Sequence, residues 1–112
     1  MSHSCYQNDD SLKPLIKDFS EDCLFVNVWT PVTGNISTLK PVMFWIYGGA
    51  LKSGSIFLPL YNGTALATYD VVIVSVNYRL GPFGFLYGGE GDAPGDVGFQ
   101  DQLTALRWVG IC

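Results

Sequence analysis

The sequence is poor in charge: Asp, Glu, Lys and Arg make up 14% of its 112 residues, against about a quarter in an average soluble domain. The net charge is −4 and there is no basic cluster, so a nucleic-acid-binding surface is not expected. Because 48% of the residues are hydrophobic, a disordered polar tail is excluded as well. This composition is typical of the inside of a larger protein.

Long apolar runs and histidine are also scarce. No segment reaches the ~18 continuous apolar residues of a membrane helix, and residues 1–10 lack the basic and apolar regions of a signal peptide. The one histidine, His3, lies near the N-terminus, where we expect a solvated side chain rather than a catalytic base. No pattern of ligands suggests a metal or a cofactor, so we predict neither.

Three stretches predict β-strands. Residues 42–47, and all of residues 71–76 except Ser75, are apolar, so apolar side chains point to both faces, as in strands covered on both faces. Residues 24–29 are rich in β-formers and end before a Thr-Pro pair, so they predict a third strand. Residues 48–55 predict a loop because they contain three glycines, and residues 64–67 predict a short helix.

One longer helix is predicted near the C-terminal end. It opens at Asp101, whose carboxylate suits the N-terminus of a helix. Its apolar residues are spaced for one buried stripe, with a tryptophan beside them: Leu103, Leu106, Val109 and Trp108. Residues 81–98 predict an irregular segment because they are rich in glycine, and Glu21 and Arg79 predict partly buried charges with ion-pair partners. Strands covered on both faces need two helical layers, which one helix does not supply, so we expect an incomplete α/β structure.

Three cysteines and two glycosylation sequons bear on the compartment. Cys5 and Cys23 enclose 17 residues, and a disulfide across such a loop stabilises a fold by roughly 3 kcal/mol; three free buried thiols are the alternative. Cys112 has no evident partner. Asn35 and Asn62 each open an Asn-x-Ser/Thr sequence, the acceptor pattern for N-linked glycans. Together these features favour a secreted or extracellular membrane-associated parent protein, although the chain shows no signal peptide.

Residues 41–49 are typical of a buried strand that breaks into a glycine turn at Gly48 and Gly49, which Ala50 extends. A strand that ends this way offers backbone N–H groups above its C-terminal end, as an oxyanion hole does. Glycine suits this role because no side chain enters the path of the substrate and unusual φ angles cost little. The alternative is a tight turn that carries no chemistry.

Five motifs, in order along the chain, carry a family resemblance: residues 20–31, 45–50, 77–86, 93–102 and 105–109. In this order they resemble the type-B carboxylesterase and cholinesterase family, whose members have the α/β-hydrolase fold and are far longer. The resemblance implies an incomplete α/β-hydrolase fold over the whole chain, 1–112. We expect the N-terminal part of the central mixed β-sheet with one C-terminal helix, ending before the nucleophile elbow.

The resemblance also implies roles for the glycine turn. Gly49 and Ala50 match the positions whose backbone N–H groups stabilise the family's tetrahedral intermediate, and Gly48 bends the turn beside the substrate. Ala50 stands where a third glycine is common, and its methyl group narrows the site. The family's catalytic triad needs a serine, a histidine and an acid. We predict that the chain alone is inactive because no serine in it lies in a Gly-x-Ser-x-Gly sequence.

Further residues match the mouth of the family's active site. A Cys5–Cys23 bridge would match the first disulfide of the family, and Asp10 matches an acidic residue at the rim that attracts cationic substrates in cholinesterases; a solvated loop carboxylate is the alternative. Cholinesterases bind choline by a cation–π contact with a tryptophan in this loop, and this chain has none between the two cysteines. Lys13 lies near that position, and Lys52 replaces an aromatic residue at the rim, where it would repel a quaternary ammonium group.

The resemblance therefore implies the N-terminal part of a serine carboxylesterase whose substrate is a small-molecule carboxylic ester. One alternative is a catalytically inactive adhesion protein of the same family, with a protein partner. Others are a cholinesterase and a truncated gene product without function. A serine in the nucleophile elbow of the parent protein would separate the enzymes from the adhesion protein.

Overall fold

The computed structural model describes residues 2–32, 39–89 and 91–111. Within them the elements follow one another as β1 (Ser4–Cys5), β2 (Phe19–Ser20), β3 (Val26–Trp29), β4 (Val42–Trp45), a 3₁₀ turn (Pro59–Tyr61), α1 (Thr64–Ala67), β5 (Val72–Val76), α2 (Gly81–Phe85) and α3 (Val97–Ile111). All three predicted strands and the short helix α1 are confirmed. The long apolar runs located the strands correctly because they contain many β-branched side chains.

The strands β3, β5 and β4 form a mixed sheet in that spatial order. The outer strand β3 is antiparallel to the central β5, whereas β4 is parallel to it. Parallel strands need a crossover connection, and residues 46–71 provide it, including the glycine turn and α1. The strands β1 and β2 form a separate parallel pair. A mixed sheet with helices agrees with a partial α/β fold.

Strand β4 does not have the covering expected on both of its faces. Val42 and Met43 of β4, and Ile46 just after it, are all about half-exposed, whereas Ile73, Val74 and Val76 of β5 are buried. The central strand β5 has a hydrogen-bonded neighbour along both of its edges. In the described part of the chain, β4 pairs with a strand along one edge only.

The prediction of an irregular segment over residues 81–98 is wrong at both ends. Helix α2 occupies the first residues of that segment, and α3 begins at Val97 rather than at Asp101. Pro82 lies in the first turn of α2, where a proline costs little because its missing N–H would have no helical partner. The described residues thus contain three α-helices, where one longer and one short helix were expected.

The apolar stripe predicted on α3 is exposed. Leu103, Leu106 and Trp108 are each about half-exposed, and the buried residues of this helix are Gly98 and Asp101. The reason is a close approach at Gly98, where a Cβ atom would lie 2.5 Å from the ring of Phe85 and 2.7 Å from the carbonyl oxygen of Arg79. Helix α3 therefore turns its glycine face inward.

The buried core lies beside the sheet, around the disulfide Cys5–Cys23, which is present with a Cα–Cα distance of 4.9 Å. The predicted bridge is confirmed, and the alternative of free thiols is wrong for these two cysteines. Tyr47 and Tyr78 stack with ring centroids 4.7 Å apart. The Tyr78 hydroxyl donates to the carbonyl oxygen of Tyr47 at 2.9 Å, and the Tyr47 hydroxyl donates back to that of Tyr78 at 3.5 Å. Burial raises the pKa of both phenols.

Three expectations for single charged or polar residues need correction. His3 is half-buried rather than solvated, and its Nδ1 atom has no hydrogen-bond partner among the described residues. Glu21 is exposed, and it forms no ion pair within the described ranges. Asp101 does not cap α3, because it lies on the fifth residue of that helix and binds Arg79 instead. The ion-pair partner expected for Arg79 is thereby confirmed.

Candidate oxyanion site

The glycine turn follows β4, separated from it by Ile46 and Tyr47. The N–H groups of Lys52 and Ser53 both donate to the carbonyl oxygen of Gly49, at 3.0 and 3.2 Å. Positive φ angles occur at Gly49 (142°), Ala50 (53°) and Leu51 (62°). Two non-glycine residues in the left-handed region cost of order 1–3 kcal/mol each, and such strain clusters at functional sites.

At two glycines of this loop there is no room for a side chain. A Cβ atom on Gly49 would lie 2.0 Å from the carbonyl oxygen of Ser53, and one on Gly54 would lie 2.3 Å from the ring of Tyr47. Gly48 has nothing within 4 Å of such an atom, and its φ angle is not positive. The bend that we assigned to Gly48 therefore belongs to Gly49 and the two residues after it.

The strained turn is held from both sides. The N–H of Gly81, at the start of α2, donates to the carbonyl oxygen of Leu51 at 2.8 Å. On the other side, the Gln7 side chain clamps Gly54: its Nε2 donates to the Gly54 carbonyl at 2.8 Å, and its Oε1 accepts from the Gly54 N–H at 2.9 Å. Sequence reasoning missed Gln7, because an amide two residues after a cysteine carries no motif.

Two N–H groups of the turn remain available. In the described part of the chain, neither the N–H of Gly49 nor that of Ala50 donates a hydrogen bond. Both residues line an open cleft of about 1120 Å³. Stabilisation of an oxyanion requires preorganised hydrogen-bond donors, and Gly49 and Ala50 each bring to the cleft lining a backbone N–H that has no acceptor among the described residues.

Three segments line this cleft: residues 6–9, residues 49–53, and residues 81–83 with 85–86. Tyr6 and Phe83 close one wall, with ring centroids 5.6 Å apart in a stacked arrangement. The lining is therefore largely apolar, with a small number of polar groups, which is typical of a small-molecule site. Gly48, which we predicted to border the substrate, is not among the lining residues.

The charges at the cleft are those of Asp9 and Lys52. Hydrogen bonds from the Ser11 side chain, the Ser11 backbone N–H and the Ser53 side chain lower the pKa of Asp9, so this carboxylate carries its charge at neutral pH. The predicted rim residue Asp10 lies outside the lining and pairs with Lys13 in an exposed turn. The structure thus brings the neighbour of the predicted carboxylate to the cleft.

An ion pair connects the segment after β5 with α3. Arg79 donates to Asp101 through Nε at 2.8 Å, through Nη2 at 2.7 Å and through its backbone N–H at 3.0 Å. The hydrogen bond to Asp101 raises the pKa of Arg79, so the guanidinium stays charged. A bidentate ion pair of this kind fixes the relative orientation of the two side chains and also brings opposite charges together. Because Gly81 follows Arg79 by two residues, the pair also fixes the segment that anchors Leu51.

The structure also bears on the two glycosylation sequons, on Cys112, and on the predictions about membrane spans and metal sites. Asn62 is exposed, whereas Asn35 and Cys112 lie outside the described residues. None of the helices in residues 2–32, 39–89 and 91–111 is both long and apolar enough for a membrane span. The same residues hold no group of three side chains with the arrangement of a metal site.

Comparison with known proteins identifies the family. The sequence profile of the carboxylesterase family matches residues 1–110. Acetylcholinesterase of Danio rerio is 49% identical over 119 residues, which cover 96% of this chain and 19% of that protein. Cholinesterase of Mus musculus is 45% identical over 123 residues, with the same two shares, and acetylcholinesterase 4 of Caenorhabditis briggsae is 52% identical over 91 residues, with shares of 80% and 15%. The chain belongs to the carboxylesterase family and spans about a fifth of the length of these relatives. The resemblance noted in the sequence is confirmed.

Proposed function

We propose that this chain supplies the oxyanion hole of a serine hydrolase that acts on small-molecule carboxylic esters. The observation that carries the proposal is the pair of N–H groups on Gly49 and Ala50, which have no acceptor among the described residues and belong to a strained turn at the edge of a cleft. Membership of the carboxylesterase family supports the same reaction.

The chemistry of the turn follows from where charge develops. When a serine oxygen attacks the ester carbonyl carbon, the carbonyl π electrons move to its oxygen and form a tetrahedral alkoxide. The two N–H groups of Gly49 and Ala50 donate to that oxygen. Loss of one such donor costs about 2.7–4 kcal/mol in the barrier. The tight turn keeps both donors in place before the reaction, so they need no reorganisation.

The nucleophile and its base come from the rest of the proposed parent protein. In the described residues no serine hydroxyl is hydrogen-bonded to His3, so these residues do not form a serine–histidine pair. We therefore expect no esterase activity from the chain alone. The disulfide Cys5–Cys23 supports a secreted or extracellular location of the parent, because disulfides persist in oxidising compartments.

Neutral esters are the preferred substrate class. Lys52 lines the cleft, and no tryptophan lies between Cys5 and Cys23 to form a cation–π contact. A quaternary ammonium ester is the second candidate. It is favoured by the names of the three relatives and by the ionised Asp9 at the same cleft.

Kinetics of the full-length parent protein test the proposal. We expect a fluorophosphonate to label one serine and to abolish hydrolysis of a neutral aryl ester. We also expect kcat/KM to be higher for the neutral ester than for a choline ester of the same acid. A higher value for the choline ester would select the cholinesterase candidate. A parent with neither labelling nor hydrolysis would contradict the hydrolase proposal and favour the adhesion alternative.

A further inference from the structure

The sequence Asn62-Gly63-Thr64 lies between the 3₁₀ turn and α1, on the surface. Asn62 is exposed, and its backbone is extended, with φ −69° and ψ 118°. Its side-chain oxygen Oδ1 accepts the N–H of Thr64 at 2.9 Å. Its side-chain nitrogen Nδ2 donates no hydrogen bond to the described residues, so the atom that would carry a sugar is free.

Gly63, the middle residue of this sequence, determines which way its two neighbours point. A Cβ atom on Gly63 would lie 2.6 Å from the ring of Trp29, so the backbone of Gly63 packs directly on the sheet. Asn62 and Thr64 on either side of it are both exposed. The two residues that an acceptor sequence needs are therefore directed away from the core.

Asn62 borders a small cavity of about 170 Å³, where Leu60 and Leu66 also lie. Leu60 is 87% exposed, and Leu66 and the nearby Met43 are about half-exposed. This cavity shares no lining residue with the oxyanion cleft. A hydrophilic group on Asn62 would cover apolar surface without reaching the site of the proposed reaction.

We propose that Asn62 is a site of N-linked glycosylation. The reaction joins its Nδ2 to the anomeric carbon of an oligosaccharide carried on a lipid diphosphate. The C–O bond to the diphosphate breaks, and the lipid diphosphate leaves with the bonding electrons as the amide releases a proton. The sugar chain solubilises the surface around Leu60. The inference rests on the secretory location proposed above.

The test uses the full-length parent, produced in a eukaryotic secretory host. Enzymatic release of N-glycans in ¹⁸O-labelled water converts a glycosylated asparagine into ¹⁸O-labelled aspartate. We expect the label on residue 62 in the wild-type protein and in Thr64→Ser, which keeps the acceptor sequence. Complete loss of the enzyme-dependent label is expected in Asn62→Gln and Thr64→Ala, with ester hydrolysis unchanged.

The oxidation state of Cys5 and Cys23, measured by mass spectrometry on the same samples, separates the possible failures. An unlabelled Asn62 in a protein whose cysteines are bridged would overturn the glycosylation site and leave the secretory location standing. An unlabelled Asn62 with both thiols free would overturn both. Because an Asn-Gly pair also deamidates without enzyme, a sample incubated in the same water without the glycosidase gives the background. Label in Thr64→Ala above that background would also contradict the proposal, since the acceptor sequence would then play no part.

Discussion

Two parts of this molecule differ in how completely they are packed. Around the disulfide, a core cluster forms with every member at most 2% exposed: Cys5, Cys23, Tyr47, Ile56, Tyr78 and Leu80. At β4 and on α3, large apolar side chains such as Met43, Leu106 and Trp108 are about half-exposed. The hydrophobic effect stabilises the core around the disulfide, which we call the packed side. Strand β4 and helix α3, which we call the open side, leave apolar surface area in water.

This difference indicates which parts of the structure are held by contacts within the chain itself. The glycine turn lies on the packed side, held by Gln7 and by the Gly81 N–H. Its geometry therefore depends on contacts that the chain already makes. Within the described residues, the open side has a strand edge that pairs with no other strand, and an apolar helix face. We therefore expect the chain alone to associate and the proposed longer parent to cover these surfaces.

The sharpest test of the comparison uses one leucine from each side. Leu80 is 0% exposed and Leu106 is 49% exposed. In this chain, Leu80→Ala should lower the free energy of unfolding by about 2–5 kcal/mol, because it leaves a cavity. Leu106→Ala should change it by no more than about 0.5 kcal/mol, as surface substitutions do. Urea denaturation of the chain, at concentrations where light scattering shows no association, measures both values.

The same pair of variants in the full-length parent tests whether the open side is covered there. We expect the cost of Leu106→Ala to rise toward that of Leu80→Ala. Equal, small costs for Leu106→Ala in both proteins would show that the helix face stays in water.

The second prediction concerns the turn itself. Gly49→Ala in the parent should lower kcat by about 10²–10³-fold, the usual effect of losing an oxyanion donor, because the new Cβ would lie 2.0 Å from the Ser53 carbonyl oxygen and displace the turn. Gly48→Ala is the matched control, since nothing lies within 4 Å of its Cβ position. Stopped-flow or steady-state hydrolysis of a neutral aryl ester gives kcat. Equal losses in the two variants would contradict the assignment of the donors.

The third prediction addresses the link between the two sides. Asp101→Asn should lower the free energy of unfolding by roughly 1.5–3 kcal/mol, the value of hydrogen bonds to charged groups. It weakens all three contacts with Arg79. Asp92→Asn, at an exposed position without an ion pair in the described residues, is the control and should cost little. Chemical denaturation measures the free energy of unfolding of both variants. Similar losses in the two would contradict a stabilising role for the ion pair between Arg79 and Asp101.

The sequence located the strands and the glycine turn because those features depend on local patterns. Consecutive apolar, β-branched residues predict covered strands wherever their partners lie. The clamp of Gln7 on Gly54 and the pairing of Arg79 with Asp101 depend on residues 47 and 22 positions apart. No local pattern encodes such partners.

The errors on α3 have a related physical cause. Glycine lowers helix propensity, so the segment before Asp101 predicted no helix. Gly98 is nevertheless the point where α3 approaches Phe85 and the backbone of Arg79. The spacing of Leu103 and Leu106 correctly indicates an apolar face. It does not indicate whether this chain itself buries that face.

The smallest expected effect is a pH dependence at the cleft. The folded-state pKa of Asp9 is lowered from 3.8 by its hydrogen bonds with Ser11 and Ser53. The stability that this carboxylate contributes is therefore fully present above pH 3.8 and is lost as the pH falls through the lower folded-state pKa. Urea denaturation on either side of pH 3.8 should show a smaller loss in Asp9→Asn than in the wild type. Asp10→Asn is the control, since Asp10 is next in sequence but outside the cleft lining, and its loss of stability at low pH should equal that of the wild type. An equal loss in Asp9→Asn and the wild type would show that the Asp9 carboxylate contributes nothing to the free energy of unfolding.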